Sequence, residues 1–159
     1  MVCEGSTPAL GKGIFPGDDP LDGSSLAGIE ALASRLGEIK RSPCGPQQAA
    51  RQTAEQLGLL PEIDNALGDI GHGRWAGRPI EEVLALEEQA FRDWLEGTSA
   101  APGGESIEAL VGKVGFWLDS RVSLARTAAI VVFQPSFVLR CSRCSGLRWC
   151  RFRVSTSAP

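Results

Sequence analysis

One unbroken apolar run, Thr127 to Phe133 with Ala128-Ala129-Ile130-Val131-Val132 at its centre, most narrows what this chain can fold into. A run without alternation suits a strand covered on both faces, as in parallel sheets sheathed by helices. Most of the remaining periodic sequence reads as helix. Asp22 or Ser24 can cap a helix starting near Ser25, where Leu26, Ile29, Leu32, Ala33 and Leu36 recur at helical spacing before Gly37 ends it. A second helix is predicted from about Gln47 to Leu57, closed by Gly58. Pro79 and the Glu81–Glu82 pair suit a helix start, which predicts helices over 79–86 and 87–96. Ser106 is placed to cap a further helix from Ile107 to about Val122, with Leu110, Val114 and Trp117 on its apolar side.

The segments between these helices read as loops. Glycines and prolines break residues 4–22, Ser42-Pro43-Cys44-Gly45-Pro46 reads as a turn, and residues 98–105 read as a loop. Only Glu62 to Ile70 offers room for another short strand. Helices alternating with apolar strand define an α/β fold. A parallel sheet needs several strands and one alone is convincing, so the sheet is expected to be incomplete at one or both ends.

The chain has 159 residues, enough for one domain with a real core, and its 43% hydrophobic and 22% charged residues are those of a globular protein. No run approaches the roughly 18 apolar residues of a membrane span. Met1-Val2-Cys3-Glu4-Gly5 has no basic segment before an apolar one, so no signal peptide is read there and a cytoplasmic location is expected. A net charge of −3 gives no reason to expect nucleic acid as a partner. That charge is unevenly spread: from residue 134 on there are five arginines and no acid. Cysteines 3, 44, 141, 144 and 150 are odd in number, which argues for reduced thiols. Cys141-Ser-Arg-Cys144 is a lone C-x-x-C without a fourth ligand, so neither a metal, a redox centre nor a cofactor is expected.

Five short motifs occur in order. They are Cys3-Glu4-Gly5-Ser6-Thr7, then Phe15-Pro16 with Pro20-Leu21-Asp22, then Ser42-Pro43 with Arg51-Gln52-Thr53-Ala54, then Gly73-Arg74-Trp75-Ala76-Gly77, and last Gly103-Gly104-Glu105-Ser106. Together they resemble one branch of the histidine phosphatase (phosphoglycerate mutase-like) superfamily, over residues 3–133. The resemblance implies a three-layer α/β fold, a central mostly parallel sheet between helices, with its site at the carboxyl ends of the strands. It implies chemistry in which one histidine attacks phosphorus, a second histidine and two arginines hold the phosphoryl oxygens, and a carboxylic acid protonates the leaving group.

Measured against that pattern, the chain departs at both histidine positions and at an arginine position, and keeps only the acid. The nucleophile position holds Glu4, and Gln134 follows the apolar strand where a second histidine should stand. The sole histidine, His72, fits neither place and reads as a loop side chain. The family's arginine position is Ala49; Arg51 is near in sequence, but two residues along a helix turn it about 200° away. Asp69 stands at the acid position, four residues before Gly73. Gly5, Thr7 and Arg51 remain the candidates for contacting phosphate, while Arg74 and Arg78 could attract an anion. An ionised Glu4 would face a phosphate dianion without cations. Read plainly, Cys3 is a small buried residue at a strand end, Glu4 a solvated loop carboxylate, and Trp75 and Trp94 core aromatics.

Two stretches of different character result: an incomplete phosphatase-like domain over 1–138 and a basic, Cys/Arg/Ser-rich, irregular tail over 139–159. The tail has the composition of a shifted reading of a GC-rich gene, so a frame lost near residue 138 is expected, with a genuine basic tail as the other reading. The expected function is a catalytically inactive or strongly impaired phosphatase-like protein, kept as a binding remnant for a small phosphorylated ligand. The other classes are an active phosphatase or mutase with an altered nucleophile and an anion- or protein-binding module. The sequence carries no sign of the oligomeric state.

Overall fold

The structure is a computed structural model that describes residues 2–34, 36, 39–121 and 131–132. Among the described residues four strands, β1 (Val2–Cys3), β2 (Arg41–Cys44), β3 (Leu60–Ile63) and β4 (Val131–Val132), form one parallel sheet in the order β1-β4-β2-β3. The helices described with them are α1 (Pro8–Gly11), α2 (Leu26–Ala33), α3 (Gln48–Gln56), α4 (Ile80–Leu86), α5 (Glu88–Leu95) and α6 (Ile107–Arg121). The α/β class expected from the sequence is the observed one. β4 lies within the apolar run that announced it and sits between β1 and β2, while the rest of that run lies outside the described residues.

The strands correct the sequence reading most. Ser42–Cys44 is not a turn but part of β2, and β3 begins at Leu60 and ends at Ile63, before the 3-10 turn Asn65–Leu67. Each contains a proline, and the ladder explains why both are tolerated. Leu60 N donates to Lys40 O at 2.7 Å and Asp64 N to Cys44 O at 2.9 Å, so the even-numbered residues of both strands face the shared ladder. Pro43 and Pro61 therefore point away from it, Pro61 to the outer edge and Pro43 toward β4, whose register with β2 is Cys44 opposite Val131. On β3, the last strand of the described sheet, Pro61 also removes a donor from the outer edge, which discourages pairing with another strand.

Three further corrections are local. Residues 4–22 are not wholly irregular, because α1 interrupts them and Ile14 bridges to Pro79. α2 stops at Ala33, short of Leu36, preceded by a 3-10 turn whose cap is Asp22, accepting from Ser24 N at 3.1 Å. Cys3 is exposed rather than buried, since Val2 takes the inward side of the two-residue strand.

The core is divided. Val2 and Cys44 from the sheet meet Ile29 of α2 and Ala50, Ala54 and Leu57 of the α3 region in one cluster. A second cluster is aromatic and lies under the loops: Phe15, Trp75, Phe91 and Trp94 with Val83 and Ala101. Leu67 and Trp117 form the third, with Trp117 Nε1 donating to Asp64 Oδ2 at 2.6 Å. Trp75 and Trp94 are core residues, as expected. None of the described helices is long and apolar enough to cross a membrane.

Ala50 and Ala54 are both fully buried and bring the α3 backbone close to the sheet. Ala54→Leu should overpack that contact and cost about 1–3 kcal/mol. A guanidinium denaturation midpoint equal to the parent's would contradict this packing.

Candidate active site

A cleft opens at the carboxyl ends of β1, β2 and β3. Glu4, Gly5, Ser6 and Thr7 enter it directly from β1, Pro16, Gly17 and Asp19 from the long first loop, Gln47 and Ala49 from the start of α3, and Asp69 from beyond β3. The helix α3 organises these pieces. Gln52 Oε1 accepts from Leu21 N at 2.7 Å, and Thr53 Oγ1 accepts from Gly5 N at 3.0 Å. Asp18 Oδ1 accepts from Gln48 N at 2.6 Å at the helix start. The Gln-Thr-Ala motif is therefore structural here: Gln52 holds the loop, Thr53 holds the end of β1, and Ala54 packs against the sheet.

The two glycine-rich motifs build a second wall by docking on each other. Arg74 N donates to Pro102 O at 3.0 Å and Glu105 N to Gly71 O at 2.7 Å. Gly73 has φ +52°, and a Cβ at Gly104 would strike the Gly71 carbonyl, so neither position accepts a side chain. Ser106 Oγ accepts from Ala109 N at 3.1 Å, which starts α6 as the sequence suggested.

Of the expected site residues that the structure describes, all but Arg51 converge. Glu4, Gly5, Thr7 and Asp69 line the cleft. Ala49, which the motif resemblance set at an arginine's place, lines it too, while Arg51 is exposed and absent from the lining. Gln134 lies outside the described residues, as do Cys141, Cys144, Cys150 and the whole tail from residue 139. Sequence reasoning missed Asp19 and Gln47. Their signal was present only in hindsight, as polar residues flanking the Pro-Leu-Asp and Gln-Thr-Ala motifs.

Glu4 is not the solvated carboxylate expected of a loop. Oε2 is shut off from solvent and has no hydrogen-bond partner among the described residues. Burial, then the nearby Asp69 and Asp18 carboxylates, push the Glu4 carboxyl from its ordinary 4.5 up to about 7. Its protonated form is thus favoured well above the ordinary carboxylate range, against the expectation of a plain anion. Burial likewise lifts Asp69 to about 6, against the opposing hydrogen bond from Ile70 N at 2.7 Å and the charge of Lys113. Lys113 itself is paired with Glu105 at 3.0 Å. Among the described residues the cleft lining thus holds three carboxyl groups, Glu4, Asp19 and Asp69, and no cationic side chain.

The histidine is elsewhere. His72 is buried, with its ring centroid 5.1 Å from Phe15 and 5.8 Å from Trp94, so it belongs to the aromatic cluster and not to a loop surface. Burial holds its pKa below the ordinary value despite a hydrogen bond to the Pro16 backbone. The arginines considered for drawing an anion are engaged: Arg78 contacts Glu87 at 2.7 Å and Glu82 at 2.9 Å, and Arg74 contacts Glu87 at 3.3 Å. Glu87 also accepts from Trp75 Nε1 at 3.2 Å. Among the described residues no group of three or more His, Cys, Asp or Glu side chains is placed to hold a metal ion.

The linkage sign follows from the raised carboxyls. Between their ordinary values and about 7 and 6, the folded chain binds more protons than the unfolded one, so stability falls as pH rises across that window. Glu4→Gln should leave stability near pH 4 unchanged and raise it near pH 8, by on the order of 1–3 kcal/mol. A gap between variant and parent that stays constant with pH in urea denaturation would refute the burial of Glu4.

The model of the histidine phosphatase superfamily (branch 1) matches residues 4–152. Phosphoserine phosphatase 1 of Hydrogenobacter thermophilus is 26% identical over 98 residues, which is 60% of this chain and 46% of that protein. The chain therefore spans under half the length of that curated relative. The crystal structure of TTHB049 from Thermus thermophilus superposes with a TM-score of 0.65 at 26% identity, covering 84% of this chain and 75% of that one. A mycobacterial glucosyl-3-phosphoglycerate phosphatase gives a TM-score of 0.70 at 23% identity over 84% of this chain and 74% of its own, a likeness of fold alone.

Proposed function

The chain belongs to the histidine phosphatase superfamily, and from that premise we propose that it is a catalytically inactive or strongly impaired member, its cleft kept as a binding surface. The observation that carries this reading is the charge of the cleft: Glu4, Asp19 and Asp69 line it, and no cation does among the described residues. Phosphoryl transfer requires fixed positive charge on the equatorial oxygens and a nucleophile that can approach a dianion. Glu4 fails in both of its states. Protonated, it has no nucleophilic lone pair of useful strength; ionised, it repels the phosphate it would attack. Ala49 offers a methyl group at the arginine position. The sole histidine of the chain is held in the aromatic cluster.

A second reading is favoured by the same carboxyls. Glu4 near 7 and Asp69 near 6 are poised for proton transfer at neutral pH. In that reading Glu4 attacks a small phosphate ester to form an acyl phosphate, Asp69 gives its proton to the departing alkoxide, and water hydrolyses the acyl phosphate. The missing cations weigh against it, since each lost oxyanion contact costs roughly 10²–10³ in rate.

Incubation with p-nitrophenyl phosphate separates the two. The expected result is no phosphate release above the blank. Turnover abolished by Glu4→Ala would establish the altered nucleophile instead. Millimolar phosphate should also leave the thermal midpoint unmoved, whereas a ligand at about 100 times its Kd would add about 2.7 kcal/mol.

A further inference from the structure

We propose that Thr53 is the positioning residue of the cleft: its hydroxyl fastens the end of β1 to the first turn of α3 and so sets Glu4 opposite Ala49. The inference rests on the cleft being this protein's working site, whether or not that site turns over substrate. Thr53 is 1% exposed. Its hydroxyl donates to Ala49 O at 2.7 Å and accepts from Gly5 N at 3.0 Å. A hydroxyl has one proton to give, so the direction of both bonds is fixed: the proton goes to the carbonyl, which has none, and a lone pair receives the amide.

Each end of this connection is a cleft-lining residue. Gly5 is bonded directly to Glu4, and Ala49 carries the carbonyl. A threonine bonded back to the carbonyl four residues earlier is ordinary within a helix. Here the same oxygen also accepts from another segment, 48 residues away in sequence. The other side of Gly5 is closely packed: a Cβ added there would come within 2.7 Å of Leu21 Cδ2 and 2.8 Å of Ser25 Cβ. Branching at Cβ further restricts the Thr53 rotamer. The motif Gln-Thr-Ala thus contains a joint that neutral chemistry maintains, independent of the charges lost around it.

The test uses the full chain and two variants. Thr53→Val keeps the shape and deletes the hydroxyl; Thr53→Ser keeps the hydroxyl and deletes the methyl. Hydrogen exchange of the Gly5 amide should be at least tenfold faster in Thr53→Val and close to the parent in Thr53→Ser. The Glu4 titration, followed by carboxyl carbon NMR, should fall from about 7 toward an ordinary glutamate in the valine variant, as water reaches a loosened cleft, and stay in the serine variant. A folded Thr53→Val with Gly5 still protected and Glu4 unmoved overturns the proposal. If the valine variant does not fold, the serine variant decides: parental exchange and titration support the joint, and their loss overturns it. Neither readout needs turnover, so detection of phosphatase activity would sink the reading of an impaired enzyme and leave this one standing.

Discussion

Everything at the cleft hangs from the close seating of α3 on the parallel sheet. Ala50 and Ala54 present methyl groups to Cys44 and Val2, and that small contact lets the helix backbone approach the strands. Larger side chains would lift the helix and with it Gln52 and Thr53, which reach across to Leu21 and Gly5. One helix thus fixes two loops through neutral hydrogen bonds whose geometry depends on how deeply it sits. Burial and hydrogen bonding are coupled: neither pair of contacts survives a displacement of an ångström or so, because amide–oxygen bonds weaken steeply beyond about 3.2 Å.

The second wall of the cleft obeys a different constraint. Two glycine-rich loops meet backbone to backbone, with Glu105 N on Gly71 O and Arg74 N on Pro102 O. Beneath them Phe15, His72, Trp75, Phe91 and Trp94 supply the apolar volume that loops otherwise lack. His72 serves this layer as a flat ring with one polar edge, turned to the Pro16 backbone beside the cleft. A histidine whose neutral form is favoured by burial suits such a place better than a charged one. The ion pairs of Arg74 and Arg78 with Glu87 lie at the rim of the same layer, and Trp75 joins them through Nε1.

The helices other than α1 were legible in the sequence because their signals are local. Ser106 caps α6, Pro79 precedes α4, and the apolar spacing of α3 shows within nine residues. The strands were legible only in part: β4 from its apolar run, the end of β1 at Cys3 and a late fragment of β3, while β2 read as a turn. A proline in a four-residue stretch reads as a break, and whether it faces a ladder depends on the partner strand, which no local window contains. Pro43 and Pro61 both face away from the ladder, and β2 and β3 form in spite of them. The fates of Cys3 and His72 were hidden for the same reason: a two-residue strand has no alternation to read, and Gly-His-Gly looks like a loop until Phe15 and Trp94 close over it. The site positions were readable through ordered motifs, and Ala49 facing the cleft while Arg51 does not follows from the helical turn alone. Burial of Glu4 was not readable, since desolvation is a property of what surrounds a residue.

Scaffold and chemistry are therefore held by different forces in this chain. Apart from the Asp18 carboxylate at the start of α3, the contacts that shape the cleft are backbone amides, alanine methyls, the Gln52 amide, a threonine hydroxyl and glycines, and these need no charge. In the reading of an impaired enzyme, the groups on which phosphoryl transfer would rely are charges, and alanine at residue 49 puts no cation on the cleft wall while its carbonyl stays held by Thr53. Glu4 is the exception among these neutral contacts, because its carboxyl is desolvated beside Asp69 and stays ionised only at a cost in folding free energy. Neutral contacts keep the form of the cleft, and protonation of Glu4 relieves that cost.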